Sequence, residues 1–257
     1  MRFGLCGPVK QLLKLKPGTV DYAELALFDV QPLTESELKE AEKILTDCGL
    51  KAETTNGFFP GELRLCGKDY RREKVDEYTK IAFEKAKRLG VELSVLGSGT
   101  ARRFEEGDDI ASCTAQLDEM FWTVGERAKE YGITVAIEPL NRGEVNNLNS
   151  VAEAAETVRR VGHPYITVMA DFFHVAKENE PFSIVEKEKA ILTHLHISRP
   201  ETRTAPLPDD GYDYSVIKKA LDAAGYNGRM SVEGRFDGGF TETATKCYAY
   251  LREVFGD

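Results

Sequence analysis

Ile133-Thr134-Val135-Ala136-Ile137-Glu138 is an apolar run that stops on a carboxylate, and the chain repeats the pattern three times. Tyr165–Ala170 runs into Asp171, Ala190–Leu195 into His196, and Arg229–Val232 into Glu233. Helix-like segments separate the four runs. Continuous apolar character, rather than alternation, is expected of strands buried on both faces of a parallel sheet. If the runs are consecutive parallel strands, one Asp, one His and two Glu meet at one end of one sheet. Such a set suits a hard cation and leaves carboxylates for proton transfer. Taken alone, each residue could be a helix cap or half of a surface ion pair. Four ligand-type residues in succession favour a shared site.

Working outward, four more strand-like runs precede these: Phe3–Cys6, Tyr22–Leu27, Lys51–Thr54 and Val91–Leu96. The later strands read as Thr134–Ile137, Ile166–Ala170, Leu192–Ile197 and Met230–Val232. Helical signals fall between them. Thr34 and Glu37 form a capping-box pattern ahead of Leu38, Ala41, Ile44 and Leu45, and Gly49 stops that run. Ser150 with Glu153 reads as a second box. Tyr78, Ile81, Ala82 and Ala86 mark a helical face closed by Gly90, and residues from about Asp109 to Tyr131 another, closed by Gly132. Ser183–Lys189, Ser215–Ala224 and Thr241–Phe255 complete the helices. Eight strands alternating with helices predict an α/β fold, a (β/α)8 TIM barrel, as one domain over residues 1–257. The competing doubly wound sheet would want a GxGxxG after its first strand, where Cys6-Gly7-Pro8 stands instead.

Composition narrows the function. The 257 residues are 42% hydrophobic, an ordinary globular value, and carry a net charge of −9. An acidic chain is poorly suited to neutralising phosphates, which counts against nucleic-acid binding. No run reaches the roughly 20 apolar residues of a membrane span. The five cysteines are scattered without a CxxC pair, so neither a disulfide framework nor a structural zinc site is expected. Met1-Arg2-Phe3-Gly4-Leu5 leads into a strand without a signal-peptide pattern. A cytoplasmic setting follows as the expectation.

Several segments then resemble one family. Ile137-Glu138-Pro139-Leu140-Asn141-Arg142-Gly143-Glu144 resembles the strand-five motif of the xylose-isomerase-like sugar epimerases and isomerases, a group that includes ketose 3-epimerases and hydroxypyruvate isomerase. Asp171-Phe172-Phe173-His174 resembles their D-x-x-H motif, His194-Leu195-His196 their H-x-H, and Ser231-Val232-Glu233 their final strand. The resemblance implies one divalent ion (Mn²⁺, Mg²⁺, Co²⁺ or Zn²⁺, with Mn²⁺ favoured) bound by Glu138, Asp171, His196 and Glu233. It implies that Glu138 and Glu233 also act as acid and base through a metal-stabilised enediolate. Glu144, His174 and Arg203 are then the substrate-binding candidates, with Arg199 the alternative to Arg203. The loop after His196 departs from the family, since Pro206-Leu207-Pro208-Asp209-Asp210-Gly211 replaces the usual Pro-Gly-x-Gly. The implied partner is a small sugar, with no nucleic acid or membrane. The family also suggests a homo-oligomer, dimer or tetramer.

Competing readings within this fold are an inosose-type dehydratase and an endonuclease-IV-like repair enzyme. The latter needs a trinuclear zinc cluster with histidines from the first half of the barrel. This chain has four His, none before His163. A non-catalytic sugar-binding barrel would not need two opposed glutamates. Two further pairs of residues carry open alternatives, and Glu24 a single reading. Phe58 and Phe59 either cover a sugar or pack on the barrel. Arg102 and Arg103 after Gly97-Ser98-Gly99 either hold a phosphate or pair with Glu105 or Glu106. Glu24 points into the barrel and hydrogen-bonds there.

Overall fold

The computed structural model describes residues 1–256. Its strands are β1 (Arg2–Cys6), β2 (Tyr22–Ala26), β3 (Ala52–Asn56), β4 (Leu93–Leu96), β5 (Thr134–Ile137), β6 (Ile166–Asp171), β7 (Leu192–Ile197) and β8 (Arg229–Val232). They pair in chain order into a closed barrel. Closure is through β1 and β8, parallel, with Phe3 opposite Met230 and Leu5 opposite Val232. The architecture is the expected (β/α)8 barrel.

The helices are α1 (Val9–Leu12), α2 (Leu27–Val30), α3 (Glu35–Asp47), α4 (Arg72–Leu89), α5 (Gly99–Arg102), α6 (Ile110–Tyr131), α7 (Val151–Val161), α8 (Phe172–Lys177), α9 (Ile184–Lys187), α10 (Ser215–Ala224) and α11 (Phe240–Phe255). Thr34 and Glu37 form the full reciprocal capping box of α3. Gly90, Gly132, Gly162 and Gly225 end α4, α6, α7 and α10 in the left-handed conformation. Two expectations are corrected. Ser150 accepts from the Glu153 backbone N–H, but Glu153 turns its own carboxylate to the Asn149 N–H and to Arg142, so the second box is only half made. The helix expected over Ser183–Lys189 shortens to the four residues of α9. Among the described residues no helix is long and apolar enough to cross a membrane.

Alternation along the strands sorts side chains between two cores. Most buried apolar residues lie between barrel and helices. A separate small cluster, Leu93, Val95, Ala136 and Met169, plugs the barrel interior. Counting in twos from these residues places Gly97, Glu138 and Asp171 inward at the C-terminal mouth. The rest of the interior is polar. Tyr22, Glu24, Thr54, His194 and Ser231 all face inward and are fully buried. Gly4 must be glycine, because a Cβ there would run into the Tyr22 ring and the Ser231 hydroxyl.

At the opposite, N-terminal end an ionic clasp ties four strands. Glu53 of β3 receives Arg2 of β1 at 2.5 Å and Arg229 of β8 at 2.8 Å. Arg229 also reaches Glu92, just before β4.

Candidate functional site

The four strand-terminal residues converge. One ligand atom from each of Glu138, Asp171, His196 and Glu233 lies within 4.8 Å of all the others. Asp171 and His196 are neighbours in register, so β6 and β7 present them side by side. Asp171 does two things at once. Its Oδ1 accepts the Phe173 N–H at 2.9 Å and caps α8, which leaves Oδ2 turned into the cluster. The helix cap therefore occupies one oxygen and leaves the other facing the cluster.

Three buried atoms in the cluster lack any hydrogen-bond partner: Glu138 Oε1, Asp171 Oδ2 and His196 Nδ1. His196 Nδ1 stands 3.4 Å from Glu138 Oε1 and 3.6 Å from Glu233 Oε2. Buried acceptors left unpartnered are costly. Several of them facing one another, oxygens with one imidazole nitrogen, form the donor set a divalent cation takes. The residues present therefore fit such an ion.

Electrostatics separate the carboxylates. Burial, reinforced by Glu233, pushes Glu138 above the ordinary carboxylate value. The same two causes raise Asp171 to about 8. Burial would raise Glu233 as well, but His196 and Arg203 outweigh it and hold Glu233 well below the usual range. Packing three acids around one point is unfavourable without positive charge, and a bound cation would relieve it.

The substrate-binding candidates ring this cluster. Arg203 Nη2 donates to Glu233 Oε2 at 2.6 Å, and Nη1 to Glu144 Oε1 at 2.9 Å. Its guanidinium also lies over the Phe173 ring, 4.7 Å from the centroid. Arg203 holds a left-handed backbone, φ 54°, which bulky residues seldom adopt. Arg199, the alternative, pairs with Glu201 instead. His174 is pushed down to about 3 by burial and then by Arg203, so it is neutral. Its Nδ1 accepts from the Asn141 backbone N–H at 3.2 Å and side-chain amide at 2.8 Å. The ring proton therefore sits on Nε2, which is buried, unpartnered and 3.5 Å from Asp171 Oδ2.

The open alternatives resolve toward structure. Phe58 and Phe59 are buried against each other and against Phe83 and Tyr78. Arg102 is fully buried, and its guanidinium goes to the Gly97 and Glu138 carbonyls and to Asn147. It clamps the loops after β4 and β5 together and is not free for a phosphate. Arg103 donates to the Glu144 carbonyl, and Glu105 pairs with Arg64 instead, so the ion pair expected of these arginines with Glu105 or Glu106 is not made among the described residues.

Sequence reading did not find three contributors. Asn56 donates to Glu233 Oε1 at 2.9 Å; its signal was the in-out alternation of β3, which extends two residues further than the apolar run. Asn141 orients both His174 and Glu144, and only its position inside the strand-five motif hinted at this. Phe173 supplies the platform under Arg203 through α8, a helix with no sequence pattern of its own.

Comparison with known proteins gives consistent results. A family model described as xylose isomerase-like TIM barrel matches residues 18–251. The ketose 3-epimerase of Arthrobacter globiformis is 30% identical over 111 residues, 43% of this chain and 38% of that protein's length. The D-psicose 3-epimerase of Agrobacterium fabrum is 27% identical over 222 residues, covering 83% of this chain and 74% of its own. A crystal structure of D-psicose 3-epimerase in the presence of D-fructose superposes with a TM-score of 0.87 at 20% identity, over 100% of both chains.

Proposed function

The chain belongs to the xylose isomerase-like TIM-barrel family, and on that premise we propose that it is a sugar epimerase or isomerase that depends on one divalent ion. Its substrate is a ketose or small hydroxy-carbonyl compound. The observation that carries this reading is the convergence of Glu138 Oε1, Asp171 Oδ2 and His196 Nδ1, buried and unpartnered, with Glu233 beside them. Those four residues would hold the ion, with Mn²⁺ favoured. When bound, the ion would supply Lewis acidity toward a substrate carbonyl group.

The remaining chemistry belongs to the side chains. Glu138 and Glu233 follow β5 and β8, on different sides of the barrel mouth. One carboxylate takes the proton from the carbon next to the carbonyl. The other delivers a proton to the opposite face of that carbon, which is epimerisation. Delivery to the neighbouring carbon is aldose–ketose isomerisation. His174 Nε2–H and Arg203 would donate to substrate hydroxyls, and Glu144 would accept from one. The five free cysteines suit a reducing, cytoplasmic setting.

The test is a screen of free ketoses, phosphorylated ketoses, hydroxypyruvate and inososes with Mn²⁺-loaded protein in deuterated water. The expected result is an epimer or isomer carrying deuterium at the carbon beside the carbonyl, lost in EDTA and restored by Mn²⁺ or Co²⁺. Full activity after exhaustive metal removal would contradict the proposal. Water loss from an inosose alone would replace it with the dehydratase reading.

A further inference from the structure

Glu24 is a fully buried carboxylate in the barrel interior, and the acid–base chemistry above makes no use of it. It is nonetheless the most heavily bonded acid near the site. Its Oε2 accepts from Ser231 Oγ at 2.6 Å, from Thr54 Oγ1 at 2.7 Å and from His194 Nε2 at 2.9 Å. Its Oε1 is left for His196 Nε2, at 2.7 Å. Tyr22 in turn contacts Ser231 at 2.8 Å. Partners on β3, β7 and β8 therefore fix both oxygens of this β2 residue in the barrel frame.

We propose that Glu24 is a positioning residue that dictates which nitrogen of His196 faces the ion. The inference rests on reading Glu138, Asp171, His196 and Glu233 as the cation site. An ionised carboxylate can only accept, so His196 must carry its proton on Nε2 to make the 2.7 Å bond. The Nδ1 lone pair is then exposed, and Nδ1 is the nitrogen found buried, unpartnered and 3.4 Å from Glu138 Oε1. The bond also fixes the ring plane. A metal-bound imidazole is commonly oriented by a carboxylate on its second nitrogen, and losing that partner lowers ion affinity about 10–100-fold. The Ser231, Thr54 and His194 bonds keep Glu24 from rotating away. A purely structural Glu24 would fill and satisfy the interior without any bearing on the ion.

Two measurements separate these roles. In wild-type protein labelled with ¹⁵N-histidine and loaded with ¹¹³Cd²⁺, coupling is expected between cadmium and His196 Nδ1, with Nε2 protonated. Coupling through Nε2 overturns the inference, and this measurement needs no variant. Glu24→Gln keeps the side-chain volume but can donate as well as accept. Its Mn²⁺ affinity, read from the free-ion signal in electron paramagnetic resonance, is expected to fall about 10–100-fold. Glu24→Asp is expected to retain the Nε2–H signature. A folded Glu24→Gln protein with wild-type affinity overturns the inference alone. Wild-type protein that binds neither ion overturns the cation-site reading and this inference with it.

Discussion

Arg203 and Glu233 are joined across the barrel mouth by a 2.6 Å bond from Nη2 to Oε2. The same nitrogen stands 3.7 Å from Asp171 Oδ2. A fixed positive charge thus touches two members of the carboxylate cluster, in the region a divalent ion would occupy. Arg203→Ala should raise KM about 10–100-fold, the scale of a lost charge-assisted hydrogen bond. Mn²⁺ affinity should stay the same or rise, because a like charge has left. A drop in Mn²⁺ affinity would show that Arg203 supports the ion rather than the substrate.

Glu138→Gln and Glu233→Gln should each lower kcat by at least about 10²–10⁴-fold, the usual contribution of general acid–base catalysis. Circular dichroism should remain that of the wild type: Glu233→Gln can keep only one of the bonds from Asn56 and Arg203, but both lie at the barrel mouth rather than in the core. Near-native kcat in either variant would remove that residue from proton transfer.

Gly97 closes β4 directly beside Glu138, and a Cβ there would collide with Glu138 Oε2. The atom in the way is the end of a side chain, so the fold can yield by moving the carboxylate. Gly97→Ala should therefore melt within a few degrees of wild type yet lose most of its Mn²⁺ affinity and activity. Normal Mn²⁺ binding in this variant would mean that Glu138 tolerates displacement and that its position is not critical.

Much of this geometry was legible in the sequence. Apolar runs ending on Glu138, Asp171, His196 and Glu233 gave the strands, and parallel pairing then placed their ends together. What stayed hidden depended on facing rather than on composition. Asn56 lies beyond the strand expected over Lys51–Thr54, so nothing marked it as facing the site, and Glu24 reads as inward-facing but without any sign that it meets His196. The glycine-rich context of Arg102 suggests a phosphate or an ion pair with Glu105 or Glu106, but loop closure turns it inward onto carbonyls instead. The loop after His196 departs from the family pattern at Pro206–Gly211, which is why Arg199 remained an alternative to Arg203.

The clasp at the barrel floor supplies a pH-dependent prediction. Burial raises Glu53, but hydrogen bonds from Arg2 and Arg229 outweigh it and leave its pKa below the ordinary value. A carboxylate with a depressed folded pKa stabilises fully above its unfolded value of about 4.3 and loses that contribution as pH falls through the folded value. Glu53→Gln should cost about 1–3 kcal/mol at pH 7, because it strands two arginines that are partly open to water. The gap in Tm between wild type and variant should narrow below about pH 4. A gap that is constant from pH 7 to pH 3 would assign Glu53 a packing role instead.

The cation site itself is tested most directly by anomalous scattering from crystals grown with Mn²⁺. The account predicts one strong peak per chain at the mouth of the barrel, about 2.0–2.3 Å from Glu138, Asp171, His196 Nδ1 and Glu233. A peak bound elsewhere, ligation through His196 Nε2, or no peak at saturating Mn²⁺ would contradict it.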